Sequence, residues 1–152
     1  MNATDEVRTL VGELEGVLAA EYPPEQRHGL HIEALFQPHV QFFVARVRGE
    51  AVGCGGVAIF SEFAEVKRMF VRESTRGKGV ADALLDRIEA TARAAGLGVL
   101  RLETGTRQLA ALRFYERSGF RRCEAFGEYA KMAPYAIETS VFMEKRLSVA
   151  LP

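Results

Sequence analysis

The segment Arg76-Gly77-Lys78-Gly79-Val80-Ala81 carries the sharpest chemical signal in this sequence. It stands where a polar, glycine-punctuated stretch gives way to a strongly periodic apolar pattern, so it lies at the mouth of a helix. The first N–H groups of a helix have no intrahelical partner, and the helix dipole adds positive potential there. Glycines let a loop backbone approach an anion closely. Arg76 and Lys78 bring charge to the same place. The chemistry these residues can do is the binding of phosphate or pyrophosphate. The same turn can also merely join a strand to a helix. It is not a P-loop, because GxxxxGK[ST] is absent, and its glycines do not keep the GxGxxG register.

The elements that must position this turn can be read from periodicity. Val7, Leu10, Val11, Leu14 and Leu18 recur at helical spacing, and Pro23 and Pro24 end that helix. A short second helix is expected around His31–Phe36. Gln41–Val47, Ala51–Phe60 and Ala64–Val71 read as an antiparallel meander. Gly53, Gly55 and Gly56 mark a bulge or a close backbone approach in its middle strand. The helix after Gly79 presents Ala81, Leu84, Leu85, Ile88 and Ala92 on one face, with Asp82, Arg87 and Glu89 off it, and Gly96 closes it. Val99–Glu103 is a strand. Thr106 can cap a helix over Arg107–Arg117, which ends at Gly119. Phe120–Cys123 begins a strand, Glu124–Ala136 is a loop, and Ile137–Leu147 is the last strand. Ala64–Glu103 is therefore a βαβ unit inside an otherwise antiparallel pattern. The fold class is mixed α/β (α+β), with helices on the faces of the sheet.

Composition bounds the rest. The 152 residues suit one domain, and 48% of them are hydrophobic, enough for a real core. A net charge of zero gives no global basic field for nucleic acid. No apolar run is long enough to span a bilayer, and the N-terminus lacks a signal pattern, so a soluble cytoplasmic protein is expected. Cys54 and Cys123 form no CxxC and read as small buried hydrophobes. His28, His31 and His39 lack metal-ligand spacing, so no metal is expected.

The arrangement Arg76-x-x-Gly79-x-Ala81, between that strand and that helix, resembles motif A of the GNAT N-acetyltransferase superfamily. Ala111, Phe114-Tyr115 and Gly119-Phe120 resemble its second signature. The resemblance covers about Val44 to Leu147. Glu103-Thr104-Gly105 and Phe126-Gly127-Glu128-Tyr129 are similar to words in a bacterial subgroup, some of whose members are linked to indole-acetate metabolism.

The resemblance implies a mostly antiparallel sheet splayed into a V. It implies acetyl-CoA as cosubstrate and a small-molecule or protein amine as acceptor. Met69, Phe70 and Val71 would lie along the pantetheine arm. A backbone N–H near Met69 or Phe70 would serve as oxyanion donor, a contribution of roughly 3 kcal/mol in other enzymes. Arg76, Gly77, Lys78, Gly79, Val80 and Ala81 would wrap the pyrophosphate. Tyr115 matches the tyrosine that returns a proton to the leaving thiolate, and a base must take one from the amine.

The sequence also departs from the family. Lys67 stands where an acidic residue is common. Glu65, on the same strand face, and Glu103, at the end of the next strand, are the candidate bases; Glu65 reads equally as a solvated strand-edge carboxylate. Gln108 replaces a common asparagine and can still offer an amide to the coenzyme or substrate. The usual first strand is missing or short. Tyr22, Tyr129 and Tyr135 read as packing residues that could shape the acceptor pocket. A homodimer is a candidate assembly, through an apolar final strand holding Val141, Phe142 and Met143. Alternative readings are a coenzyme-binding regulator that has lost turnover, and a nucleotide-binding module.

Overall fold

A computed structural model describes residues 5–26 and 37–148. Helix α1 spans Asp5–Glu21. Strands β1 (Val40–Val47), β2 (Glu50–Ile59) and β3 (Ala64–Val71) form the meander. Helix α2 (Val80–Ala94), strand β4 (Val99–Gly105) and helix α3 (Leu109–Arg117) follow. Strand β5 (Arg121–Cys123), the short helix α4 (Pro134–Ile137) and strand β6 (Ser140–Arg146) complete the described chain. The expected helix at His31–Phe36 lies outside the described residues, as does any strand before α1.

One sheet of six strands runs in the order β1-β2-β3-β4-β6-β5. Only β3 and β4 are parallel, joined by the α2 crossover. One face packs Val57, Val66, Leu100, Leu102 and Met143 against Leu85, Ile88 and Ala92 of α2 and Leu112 and Tyr115 of α3. On the other, Val7, Leu10 and Val11 of α1 bury Phe42, Val44, Cys54 and Phe70. Val7, Leu10 and Val11 of the first expected stripe and Leu85, Ile88 and Ala92 of the second make these two contacts. Glu89 breaks the pattern. It is buried in the α2 face, where Lys145 and Arg93 compensate its charge at 2.9 and 3.3 Å.

Three local features differ from the sequence expectation. Gln108, not Thr106, stands at the cap of α3, and it makes no side-chain capping bond. The loop after β5 contains a 3-10 turn, Gly127–Lys131, as well as α4. Val141, Phe142 and Met143 are buried, and β6 is paired on both sides by β4 and β5. Phe142, Met143 and Glu144 hold backbone partners on both sides, so pairing with a second copy is blocked at those three positions.

Candidate active site

The site begins where two parallel strands part. β3 and β4 are in register only at Ala64↔Leu100 and Glu65↔Arg101, and beyond them the strands diverge. Opposite β2, β3 carries a bulge, and Arg68 and Met69 fall between the registered pairs Gly56↔Lys67 and Cys54↔Phe70. Arg68 takes φ +51°, a left-handed conformation rare for a side-chain-bearing residue. The bulge re-aims the strand. Lys67 bonds Tyr129 of the 3-10 turn and Arg68 pairs with Glu15 of α1, while Met69 packs toward α2. Gly55 makes this possible, because a Cβ there would come within 2.8 Å of Met69 Sδ.

The opened V leads into a slot of about 770 Å³. Met69, Phe70 and Val71 form one wall; Arg76, Gly77, Gly79, Val80 and Ala81 form the second; Gln108, Ala111 and Tyr115 form the third. Gly77 and Gly79 have φ near +80° and +82°, which only glycine adopts without strain. No side chain caps α2, so its first-turn N–H groups are left for a ligand. Arg76 donates from Nε to the Val71 carbonyl at 3.3 Å, which fixes its guanidinium at the slot. Lys78 is exposed and does not line the slot. Arg107, Arg113 and Arg117 do line it, a contribution that sequence reading missed. Their signal was available: three arginines lie on or beside one helix, two of them four residues apart. An elongated molecule with a pyrophosphate and a narrow apolar arm suits this donor set.

A second, smaller cavity of about 130 Å³ lies on the other side of the parting strands. Glu65, Lys67 and Glu103 enter it from the two strands, Tyr22 and Gln26 from the chain after α1, and Tyr129 from the 3-10 turn. Leu14, Met69, Gln108, Ala111 and Tyr115 line both cavities. The fold therefore joins the two spaces at Tyr115. This side chain is 6% exposed, and its hydroxyl makes no hydrogen bond to another described residue. An unsatisfied buried donor costs about 1–3 kcal/mol, a cost usually tolerated for function. Burial pushes its pKa upward, so the hydroxyl holds its proton across the neutral range.

Glu65 is 4% exposed on an internal strand, which excludes the solvated-edge reading. Its Oε2 accepts from Tyr129 at 2.7 Å and pairs with Lys67 at 2.9 Å. Glu103 accepts from Ser140 Oγ at 2.6 Å. Both candidate carboxylates thus reach one cavity.

The sequence of residues 7–120 matches the model of the acetyltransferase (GNAT) family. The chain belongs to the GNAT acetyltransferase family.

This GNAT protein is an acetyltransferase, and its relatives agree. It is 44% identical over 145 residues to an IAA acetyltransferase from Azospirillum brasilense, covering 94% of this chain and 92% of that one. It is 34% identical to an uncharacterized N-acetyltransferase from Bacillus subtilis (strain 168), covering 93% of each. Among solved structures, a protein described as an acyl-CoA N-acyltransferase from Klebsiella pneumoniae superposes with a TM-score of 0.75 at 32% identity, over 96% of this chain and 92% of that one. The PaiA N-acetyltransferase of Thermoplasma acidophilum, solved with coenzyme A, shares the fold at a TM-score of 0.67 and 18% identity, over 93% of each chain.

The sequence marked three tyrosines as packing residues that could shape the acceptor pocket. Tyr22 and Tyr129 line the smaller cavity, whereas Tyr135 is 56% exposed and does not. His39 is exposed, with its ring against Phe60; His28 and His31 lie outside the described residues. Cys54 is fully buried as expected, while Cys123 is only half-buried. No described helix is long and apolar enough to cross a membrane.

Proposed function

We propose that this chain acts as one acetyltransferase domain that moves an acetyl group from acetyl-CoA to a primary amine, by direct attack in a ternary complex. The observation that carries this reading is Tyr115, a buried hydroxyl with no hydrogen-bond partner among the described residues, on the wall shared by both cavities. Acetyl-CoA supplies an activated thioester. The chain's residues do the rest. The α2 N-terminus and Arg76 hold the pyrophosphate, and Met69 to Val71 lie along the arm. A backbone N–H of Met69 or Phe70, beside the bulge, stabilises the developing oxyanion. Glu65 or Glu103 accepts the proton of the incoming ammonium, which an alkylamine carries almost wholly at neutral pH. Tyr115 donates to the departing sulfur.

A coenzyme-binding regulator is the second reading, favoured by Lys67 standing where an acid is common. One experiment separates the two: release of CoA thiol from acetyl-CoA across amino acids, polyamines, aminoglycosides, arylamines and short peptides. The Azospirillum relative's name adds IAA to that panel. Release that depends on one amine class supports the enzyme. Tight acetyl-CoA binding with no release from any acceptor supports the regulator.

A further inference from the structure

Glu65, Lys67 and Tyr129 form a closed triangle on the wall of the smaller cavity. Tyr129 donates to Glu65 Oε2 at 2.7 Å, Lys67 pairs with the same oxygen at 2.9 Å, and Lys67 Nζ donates to the Tyr129 hydroxyl at 3.0 Å. Both donors converge on Oε2. Glu65 Oε1 takes no hydrogen bond from any described residue, although the side chain is nine-tenths buried. Glu65 lines the cavity, together with Lys67 and Tyr129.

The triangle is held from outside the strand. Tyr129 packs edge-to-face on Phe126 at 5.3 Å and tilted on Phe142 at 5.3 Å, so its hydroxyl has little freedom. Burial, Glu65 and Glu103 all push the Tyr129 pKa upward, so it remains a donor. Lys67 is 11% exposed and lies 5.4 Å from the centre of the same ring. The remaining charges nearby have their own partners: Arg101 of β4 pairs with Glu144, and Arg68 pairs with Glu15. Glu103 accepts from Ser140.

We propose that Lys67 and Tyr129 are positioning residues, which compensate and orient Glu65 so that its Oε1 receives the proton of the acceptor amine. This rests on the acetyl-transfer reading above. The ammonium N–H bond breaks, its electron pair stays on nitrogen as the nucleophile, and the proton forms an O–H bond at Oε1, directly or through cavity water. The departure at Lys67 then has a physical reason. The carboxylate has moved two positions back along the strand, and the lysine beside it is its counter-ion.

The test is a double-mutant cycle with the amine that wild type acetylates. Tyr129→Phe keeps the ring and removes the donor. It is expected to lower kcat/KM for the amine about tenfold, the worth of one charge-assisted hydrogen bond, with acetyl-CoA affinity unchanged. Lys67→Met should lose more, and Lys67→Arg should restore most of that loss. In a Glu65→Gln background, Tyr129→Phe should cost nothing further, because its effect passes through Glu65. A tenfold loss that persists in that background, or Glu65→Gln at full activity, overturns the proposal while the acetyl-transfer reading stands. Wild type that releases no CoA thiol with any amine overturns both.

Discussion

The Tyr22 hydroxyl accepts the backbone N–H of Arg107 at 2.7 Å, joining residues 85 positions apart. Its ring lies against Gly105, where an added Cβ would collide with it. One contact thus ties the segment after α1 to the turn that delivers Arg107 and Gln108 to the larger slot. Gly105→Ala should displace Tyr22 and lower stability by about 1–3 kcal/mol, read from urea unfolding. Stability equal to wild type would mean that the ring yields freely and the tie is loose.

Gly79 has open space where a Cβ would go, so replacing it meets no collision. The cost lies in its φ of +82°, about 1–2 kcal/mol for a residue with a side chain. Gly79→Val should therefore distort the mouth of α2 and weaken acetyl-CoA binding in titration calorimetry at least tenfold. An unchanged affinity would remove the turn from the coenzyme site.

Tyr115→Phe keeps the ring contacts with Phe114 and Phe120 and removes only the hydroxyl. Turnover should fall about a hundredfold, within the usual range for a lost general acid, with coenzyme affinity unchanged. Because burial raises its pKa, ionisation of Tyr115 should impose no alkaline limb on the wild-type rate below pH ~10. Equal turnover by both forms would dismiss it as the proton donor.

Cys54 Sγ–H donates to the Arg68 carbonyl at the bulge, at 3.4 Å. Burial pushes its pKa from 9.0 up to about 12, with a smaller opposing pull from Arg68. A raised pKa means that the unfolded chain ionises first. The associated stability is complete below pH 9 and declines as pH rises toward 12. Between pH 9 and 10 wild type should lose about 1 kcal/mol that Cys54→Ala does not lose. Parallel pH profiles for the two would show that the thiol is solvated. In the native state at neutral pH, a thiol reagent should label half-buried Cys123 first.

Features that depend on neighbours along the chain are legible in the order of residues alone. The glycines before an amphipathic helix specify a turn into that helix, and helical spacing places Tyr115 and Leu112 on one buried face of α3. The change from period two to period 3.6 over Ala64–Glu103 specifies the parallel crossover. These are local rules of backbone geometry, so they survive without knowledge of the fold. The tertiary structure decided what depends on the partners met across the sheet. Alternation put Glu65 and Lys67 on one face, but only Tyr129, carried in by a loop with no periodic signal, converts them into a compensated buried cluster. Glu89 read as a surface residue because its counter-ion, Lys145, lies 56 positions away on β6. The final strand read as an apolar surface that could pair or pack across a two-fold, because strand order is not written in any one strand. A charge in the interior is stable only beside its partner, and where that partner lies is set by how the strands are stacked.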